Sequence, residues 1–218
     1  MVLAISCGIM RNHGESGDFL YNDYTEYFSK KGVTLVMVSN ACKDPAGYAG
    51  KFGVEGLILS GGNDIGSEPV RDTVELELLK YAMERDLPVL GICRGMQFIN
   101  YYFSGTKPAD IGGLGFEASS HVAKDHELIV SDKSWAEIFL REKIVTNSYH
   151  RQGFLRDMIS NELAIVAFSN DGIVEAVVHK KHRIIGIQWH PERKSPDDTV
   201  NDAVCDIFLN QINKGRRR

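Results

Sequence analysis

The chain has 218 residues, of which 43% are hydrophobic and 25% charged, and a formal net charge of -4. That length suits a single α/β domain spanning residues 1–218, large enough to bury its core without staples. The acidic balance argues against general nucleic-acid binding, which needs a basic footprint, and the absence of any run of about 18 apolar residues argues against a membrane span.

In chain order, residues 2–9 form an apolar run that reads as a first strand; it lacks the charged start and long apolar stretch of a signal peptide. Residues 19–31 follow as a helix stopped by Gly32, and 33–38 and 54–60 as the next strands. In 73–86, Val74, Leu78 and Ala82 fall on one line with Leu79 and Met83 beside it, a 3.6-type stripe that predicts a helix. Pro88 restarts the chain in extended form, and 89–92 is a fully apolar strand. Strand–helix alternation with continuously apolar strands predicts a mostly parallel sheet flanked by helices. The second half changes character: 127–130, 143–146, 163–168, 173–179 and 183–189 are strand-like. Turn signals at Asn170-Asp171-Gly172 and Lys180-Lys181-His182 predict antiparallel edge strands. Residues 197–213 predict a closing helix, and 214–218 a solvated tail.

The four cysteines, Cys7, Cys42, Cys93 and Cys205, are scattered. This fits a reduced cytoplasmic protein better than a disulfide framework or a zinc site. Cys93 differs from the rest. Gly91-Ile92-Cys93-Arg94-Gly95 lies between the apolar strand and an apolar-striped helix carrying Met96, Ile99 and Phe103. This is the glycine-flanked nucleophile elbow, with the thiol at a helix N-terminus that favours thiolate. Alone, it reads more readily as a buried, inert cysteine.

His190 closes a strand in Gln188-Trp189-His190-Pro191-Glu192. Pro191 fixes the turn, and Glu192 can hold one imidazole nitrogen so that the other faces a thiol. His13, His121, His126, His150, His179 and His182 are the other candidate bases, with His150 the runner-up. Ser60-Gly61-Gly62-Asn63-Asp64 follows another buried strand and reads as either a plain turn or an oxyanion loop. In the second reading a loop N–H and the Arg94 N–H donate to the substrate carbonyl. The Arg94 side chain either pairs with Asp72 or Glu75 and braces the elbow, or touches an anionic substrate. His121 and His126 are metal ligands by type, but no third ligand stands at a convincing spacing, so no metal is expected. Residues 113–118 only weakly mimic a dinucleotide fingerprint, no G-x-x-x-x-G-K-[S/T] occurs, and no cofactor is expected.

Gly-Ile-Cys-Arg-Gly-Met-Gln, Ser-Gly-Gly-Asn-Asp and Gln-Trp-His-Pro-Glu, in this order, resemble the class I glutamine amidotransferase family, most closely its peptidase C26 branch of γ-glutamyl hydrolases. Arg71-Asp72, 145–150, Asp171-Gly172 and Glu175-Ala176 also fall where that branch has its signatures. The resemblance implies the flavodoxin-like class I amidotransferase fold and a triad of Cys93, His190 and Glu192. It implies an oxyanion hole from the Gly62 and Arg94 backbone. It also implies that Gly61, Asn63, Gln97 and the Asn147-Ser148-Tyr149-His150 segment hold a γ-glutamyl head. The implied partner is a small γ-glutamyl substrate, with homo-oligomerisation left open. Departures at His150-Arg151-Gln152 and Ile65-Gly66-Ser67-Glu68-Pro69 border the leaving-group side. That group therefore stays open among a cytidine nucleotide phosphoramidate, a γ-aminobutyrate-type amine, and ammonia passed to a partner synthase. A non-enzymatic protein on the same fold is the remaining alternative.

Overall fold

A computed structural model describes residues 1–215, so the last three residues of the expected tail lie outside the described residues. The chain runs β1 (Val2–Ser6), β2 (Gly8–Asn12), β3 (Glu15–Phe19), α1 (Asn22–Lys30), β4 (Thr34–Val38), α2 (Pro45–Lys51), β5 (Leu57–Leu59), α3 (Pro69–Glu84), β6 (Val89–Ile92) and α4 (Arg94–Ser104). It continues through β7 (Ala109–Asp110), a 3-10 turn (Ala118–His121), β8 (Val122–Val130), α5 (Lys133–Phe139), β9 (Lys143–Tyr149), β10 (Gln152–Gly153), β11 (Leu163–Ser169), β12 (Val174–His179), β13 (Ile184–Ile187) and α6 (Asp198–Gly215).

Nine strands form one sheet in the order β4-β1-β5-β6-β13-β12-β11-β8-β9. The first five are mutually parallel, and the β13–β12–β11–β8–β9 pairs are antiparallel. The sheet is apolar on both faces, as its sequence pattern demands. Side chains alternate between two cores with the period of two set by the pleat. Leu3, Ile5, Ile58, Leu90, Ile92, Ile185 and Ile187 pack on one face with Phe28 of α1, Trp135 of α5 and Phe208 of α6. Ala4, Leu57, Leu59, Val89 and Ile184 pack on the other with Leu78 of α3 and with Met96 and Ile99 of α4.

Two expectations change. The apolar run 2–9 is not one strand, and the helix expected from Phe19 begins at Asn22. Between them the chain leaves the sheet as the β2–β3 hairpin, with Asn12 opposite Glu15. His13 and Gly14 form its two-residue turn, both at positive φ (50° and 82°), as tight hairpins of this twist require. Helices α2 and α5 were not expected; each has seven residues, too short for a 3.6-residue stripe to stand out, although Asp44 and Asp132 cap their first turns.

Candidate active site

β5, β6 and β13 are parallel neighbours, so the segments leaving their carboxyl ends lie side by side, where open α/β sheets bind ligands. The first carries Gly61, Gly62 and Asn63, the second Cys93, the third Gln188 and His190.

Cys93 sits at φ 53° and ψ -106°, a conformation side-chain-bearing residues rarely adopt. Its flanking glycines are sterically required. A Cβ on Gly91 would lie 2.7 Å from the Gly95 backbone, and one on Gly95 would lie 2.1 Å from the Leu59 carbonyl oxygen. The Cys93 N–H donates to the Ile187 carbonyl at 2.8 Å, pinning the turn to β13. Arg94 opens α4, so its N–H is among the first in the helix without an intrahelical acceptor. Burial pushes the Cys7 thiol up to about 11 and Cys205 up to about 12, which leaves both protonated near neutrality. The Cys93 sulfur stands close enough to the His190 imidazole to favour a charge on that ring.

His190 is held from several directions. Its Nδ1 is 2.6 Å from Glu192 Oε1. Its backbone N–H donates to Asn147 Oδ1 at 2.9 Å, and its carbonyl accepts from Asn147 Nδ2 at 2.8 Å. Trp189, buried beside it, donates Nε1–H to Asn201 of α6 at 3.1 Å. Burial opposes a charge on the imidazole, but the Glu192 carboxylate and the Cys93 sulfur outweigh it and raise the pKa to about 9. With Nδ1–H given to Glu192, Nε2 is the nitrogen left for the thiol. The Gly61 position confirms how close the three segments come. A Cβ there would stand 2.9 Å from the His190 Cε1 and 3.6 Å from the Cys93 Cβ.

Several further residues shape this site, most of them given no role of their own by the sequence. Gln188, fully buried, donates Nε2–H toward Cys93 Sγ at 3.5 Å, and its Oε1 accepts from Gln97 Nε2 at 3.3 Å. Tyr24, on α1, accepts the Gly61 N–H at 2.9 Å and orients the glycine loop. Burial, then the nearby Glu192 charge, raises the pKa of the Tyr24 phenol, so it stays protonated. Beneath the elbow lies a buried charge cluster. Arg94 pairs with both Asp72 and Glu75, the bracing alternative of the two open for it. Arg71 Nε bonds Glu75 Oε1 at 3.0 Å, while its Nη2 donates to the Ser60 and Gly61 carbonyls at 2.9 Å. Burial works against the Glu75 charge, yet Arg94 and Arg71 hold its carboxyl below the usual carboxylate range. Glu75 therefore bridges the nucleophile's helix to the glycine loop. Truncating it to alanine leaves two guanidinium groups buried without their shared anion. Glu75→Ala is expected to cost about 3–5 kcal/mol, measured by chemical denaturation; a loss below about 1 kcal/mol would deny the bridge its role.

The cleft above Cys93 has a volume of about 310 Å³ and is lined by Gly62, Asp64, Arg94, Gln97, Asp110, Val122, Tyr149, His150, Arg151 and Gln152. Of the residues expected to hold a γ-glutamyl head, Gln97, Tyr149 and His150 border it. Gln97 Nε2 also donates to the Gln152 carbonyl at 3.0 Å. Gly61 stands between His190 and Cys93, and the other three turn elsewhere. Asn147 spends its amide on the His190 turn, including a 3.1 Å bond to the Lys194 carbonyl. The Ser148 hydroxyl, wholly buried, donates to the His121 carbonyl at 2.8 Å. Asn63 ties the glycine loop to the β2–β3 hairpin, accepting from the Ile9 N–H and donating to its carbonyl, both at 2.9 Å. Alternation along β9 accounts for Ser148, which points to the face opposite Tyr149, whereas Asn147 shares that face but has its amide taken by the His190 turn.

A family model described as Peptidase C26 matches residues 4–192. The chain is 31% identical to the glutamine amidotransferase-like protein YvdE of Lactococcus lactis, covering 72% of this chain and 74% of that one. It is 32% identical to the gamma-glutamyl-CDP-amidate hydrolase of Campylobacter jejuni, covering 65% and 64% respectively. Against the gamma-glutamyl-gamma-aminobutyrate hydrolase of Escherichia coli O157:H7 the identity is 29%, covering 68% and 63%. A crystal structure from Thermoplasma acidophilum, described as that of a GMP synthase subunit, superimposes with a TM-score of 0.72 at 22% identity, covering all of this chain and 96% of the other. That likeness identifies the fold.

Proposed function

The chain belongs to the peptidase C26 family, and from that premise we propose that it hydrolyses the γ-glutamyl amide bond of a small molecule. The reading rests on one observation above all: Cys93 on a strained elbow, beside a His190 imidazole that Glu192 holds at 2.6 Å. In the proposed reaction His190 takes the Cys93 proton and the thiolate attacks the γ-carbonyl. Backbone N–H groups of Gly62 and Arg94 receive the oxyanion. Gln188, donating toward the sulfur, supports the thiolate before attack. His190 then protonates the departing amine, and water, activated by the same imidazole, cleaves the thioester to release glutamate.

The cleft's volume of about 310 Å³ is at the lower end for small-molecule sites and suits a glutamyl head with its leaving group only partly enclosed. Asp64, Asp110 and the Gln97 amide oxygen offer acceptors for an α-ammonium, both Gln97 Nε2 hydrogens being given to Gln152 and Gln188. Arg151 brings a cation to the same rim. It favours an anionic leaving group, and the finer reading is a γ-glutamyl-CDP-amidate that yields glutamate and cytidine diphosphoramidate. A γ-aminobutyrate-type amide is the alternative within the same chemistry, and a glutaminase that feeds ammonia to a partner synthase is the alternative outside it. Glutamate release should be measured from γ-glutamyl-CDP-amidate, γ-glutamyl-γ-aminobutyrate and glutamine, with and without cell extract. Preference for the nucleotide by about tenfold or more in kcat/KM supports the finer reading. Turnover of glutamine alone, stimulated by extract, would replace it with the glutaminase, and no release from any of the three would overturn the hydrolase.

A further inference from the structure

Behind one wall of the cleft, four side chains from separate segments converge. His121 ends the 3-10 turn, His126 lies on β8, His150 follows β9 and Glu175 lies on β12. His121 Nδ1 is 3.6 Å and His150 Nε2 3.2 Å from Glu175 Oε1, and His126 Nε2 is 3.8 Å from Oε2. These three nitrogens and two oxygens are buried, and none has a hydrogen-bond partner. Buried polar groups are nearly always satisfied, and those of His121, His150 and Glu175 lie close enough together to share one ion, so the cluster calls for a ligand.

The far sides of two rings fix what the near sides present. His150 Nδ1 is 3.0 Å from the Gln152 carbonyl, which only accepts, so Nδ1 carries a proton. His121 Nε2 is 2.8 Å from the Asp171 carboxylate, so that nitrogen carries one too. In their neutral forms both rings then turn a lone pair toward the Glu175 carboxylate. Acceptor faces acceptor, and a cation between them removes the conflict. Metal-binding histidines are held in this same way, with the far N–H given to a carboxylate or a backbone carbonyl. Two imidazoles and one carboxylate, with the His126 imidazole beside them, are the nitrogen and oxygen donors that suit zinc. Glu175 and Asp171 together supply two negative charges to match a divalent ion.

We propose that His121, His150 and Glu175 form a buried, structural site for a zinc-class divalent cation, with the neighbouring His126 as its fourth ligand. Spacing along the chain conceals it, because the third and fourth ligands come from distant strands. The Gln152 carbonyl accepts from both His150 and Gln97, so an ion here stiffens the cleft wall without touching the reacting atoms.

The test uses the full chain carrying Cys93→Ala, which removes the one thiol beside a histidine that would hold zinc by itself. Purified from zinc-supplemented cells, it is expected to contain about one zinc per chain by mass spectrometry. Removing that zinc with a chelator and restoring it should raise Tm by roughly 5–15 °C, and cobalt in its place should give the intense visible bands of a tetrahedral centre. Asp171→Asn should weaken zinc binding about 10–100-fold, and His121→Asn and Glu175→Gln should abolish it. A zinc content below about a tenth of an equivalent with no Tm response overturns the site. So does stoichiometric zinc that survives both His121→Asn and Glu175→Gln. Should those two variants fail to fold, the zinc content and cobalt spectrum of the Cys93→Ala chain decide alone.

Discussion

Cys93→Gly is expected to abolish turnover while making the chain more stable. Loss of the nucleophile removes covalent catalysis, a drop of about 10⁶-fold in kcat. Backbone strain at φ 53° and ψ -106° costs a side-chain-bearing residue roughly 1–3 kcal/mol, and glycine adopts this conformation freely. Glycine's larger unfolded-state entropy returns about 0.5–1 kcal/mol, so the net gain is about 1 kcal/mol, or a rise in Tm of about 2–4 °C. Glutamate release and a thermal melt on the same preparation check both halves. Turnover within about tenfold of the parent would remove Cys93 from the chemistry, and a lower Tm would mean that the elbow holds no strain for glycine to release.

Glu192→Gln carries the second large effect. A glutamine in place of the carboxylate either offers an N–H to Nδ1 or accepts without a charge, so the tautomer and the imidazolium both lose support. kcat/KM is expected to fall by roughly 10³–10⁴-fold. The pH profile separates this from misfolding. His190 titrates at about 9 in the parent, above its ordinary 6.5, because Glu192 and Cys93 outweigh burial. Activity that needs the thiolate–imidazolium pair should therefore fall as pH rises through about 9. In the variant that alkaline limb should move down by about 1–2 pH units. An unmoved limb would assign it to another group. The same shift links to folding: protonation of His190 favours the folded chain, a contribution complete below pH 6.5 and lost as pH rises through about 9.

What the sequence made legible was local. Gly91, Cys93 and Gly95 are constrained by a turn of five residues, and His190 and Glu192 by one proline step, so neighbours in the chain carry the whole pattern. Strand β6 was expected at its observed bounds because an apolar run between Pro88 and a glycine elbow leaves little freedom. Tyr24 was not read as part of the site, because it reaches it through packing across separate elements; Arg71 and Gln188 stood in family motifs without a role, and Glu75 only as a candidate partner for Arg94. The converse error has the same origin. Asn147 and Ser148 sit in a segment read as substrate-binding, yet the His190 turn takes the Asn147 amide and the pleat of β9 turns Ser148 toward the His121 carbonyl. The β2–β3 hairpin escaped notice because it is largely exposed and shows no apolar alternation.

The contact of Gly95 with the Leu59 carbonyl decides which parts of the site can change independently. With no room between β5 and α4 for even one methyl group, the Cys93 elbow and the glycine loop are locked to each other, and a shift in one carries the other with it. Asp110 and Arg151 belong instead to the short β7–β10 neighbourhood, which shares no hydrogen-bonded strand with the main sheet. Substitutions at Asp110 or Arg151 are therefore expected to leave the geometry of the elbow and glycine loop unchanged.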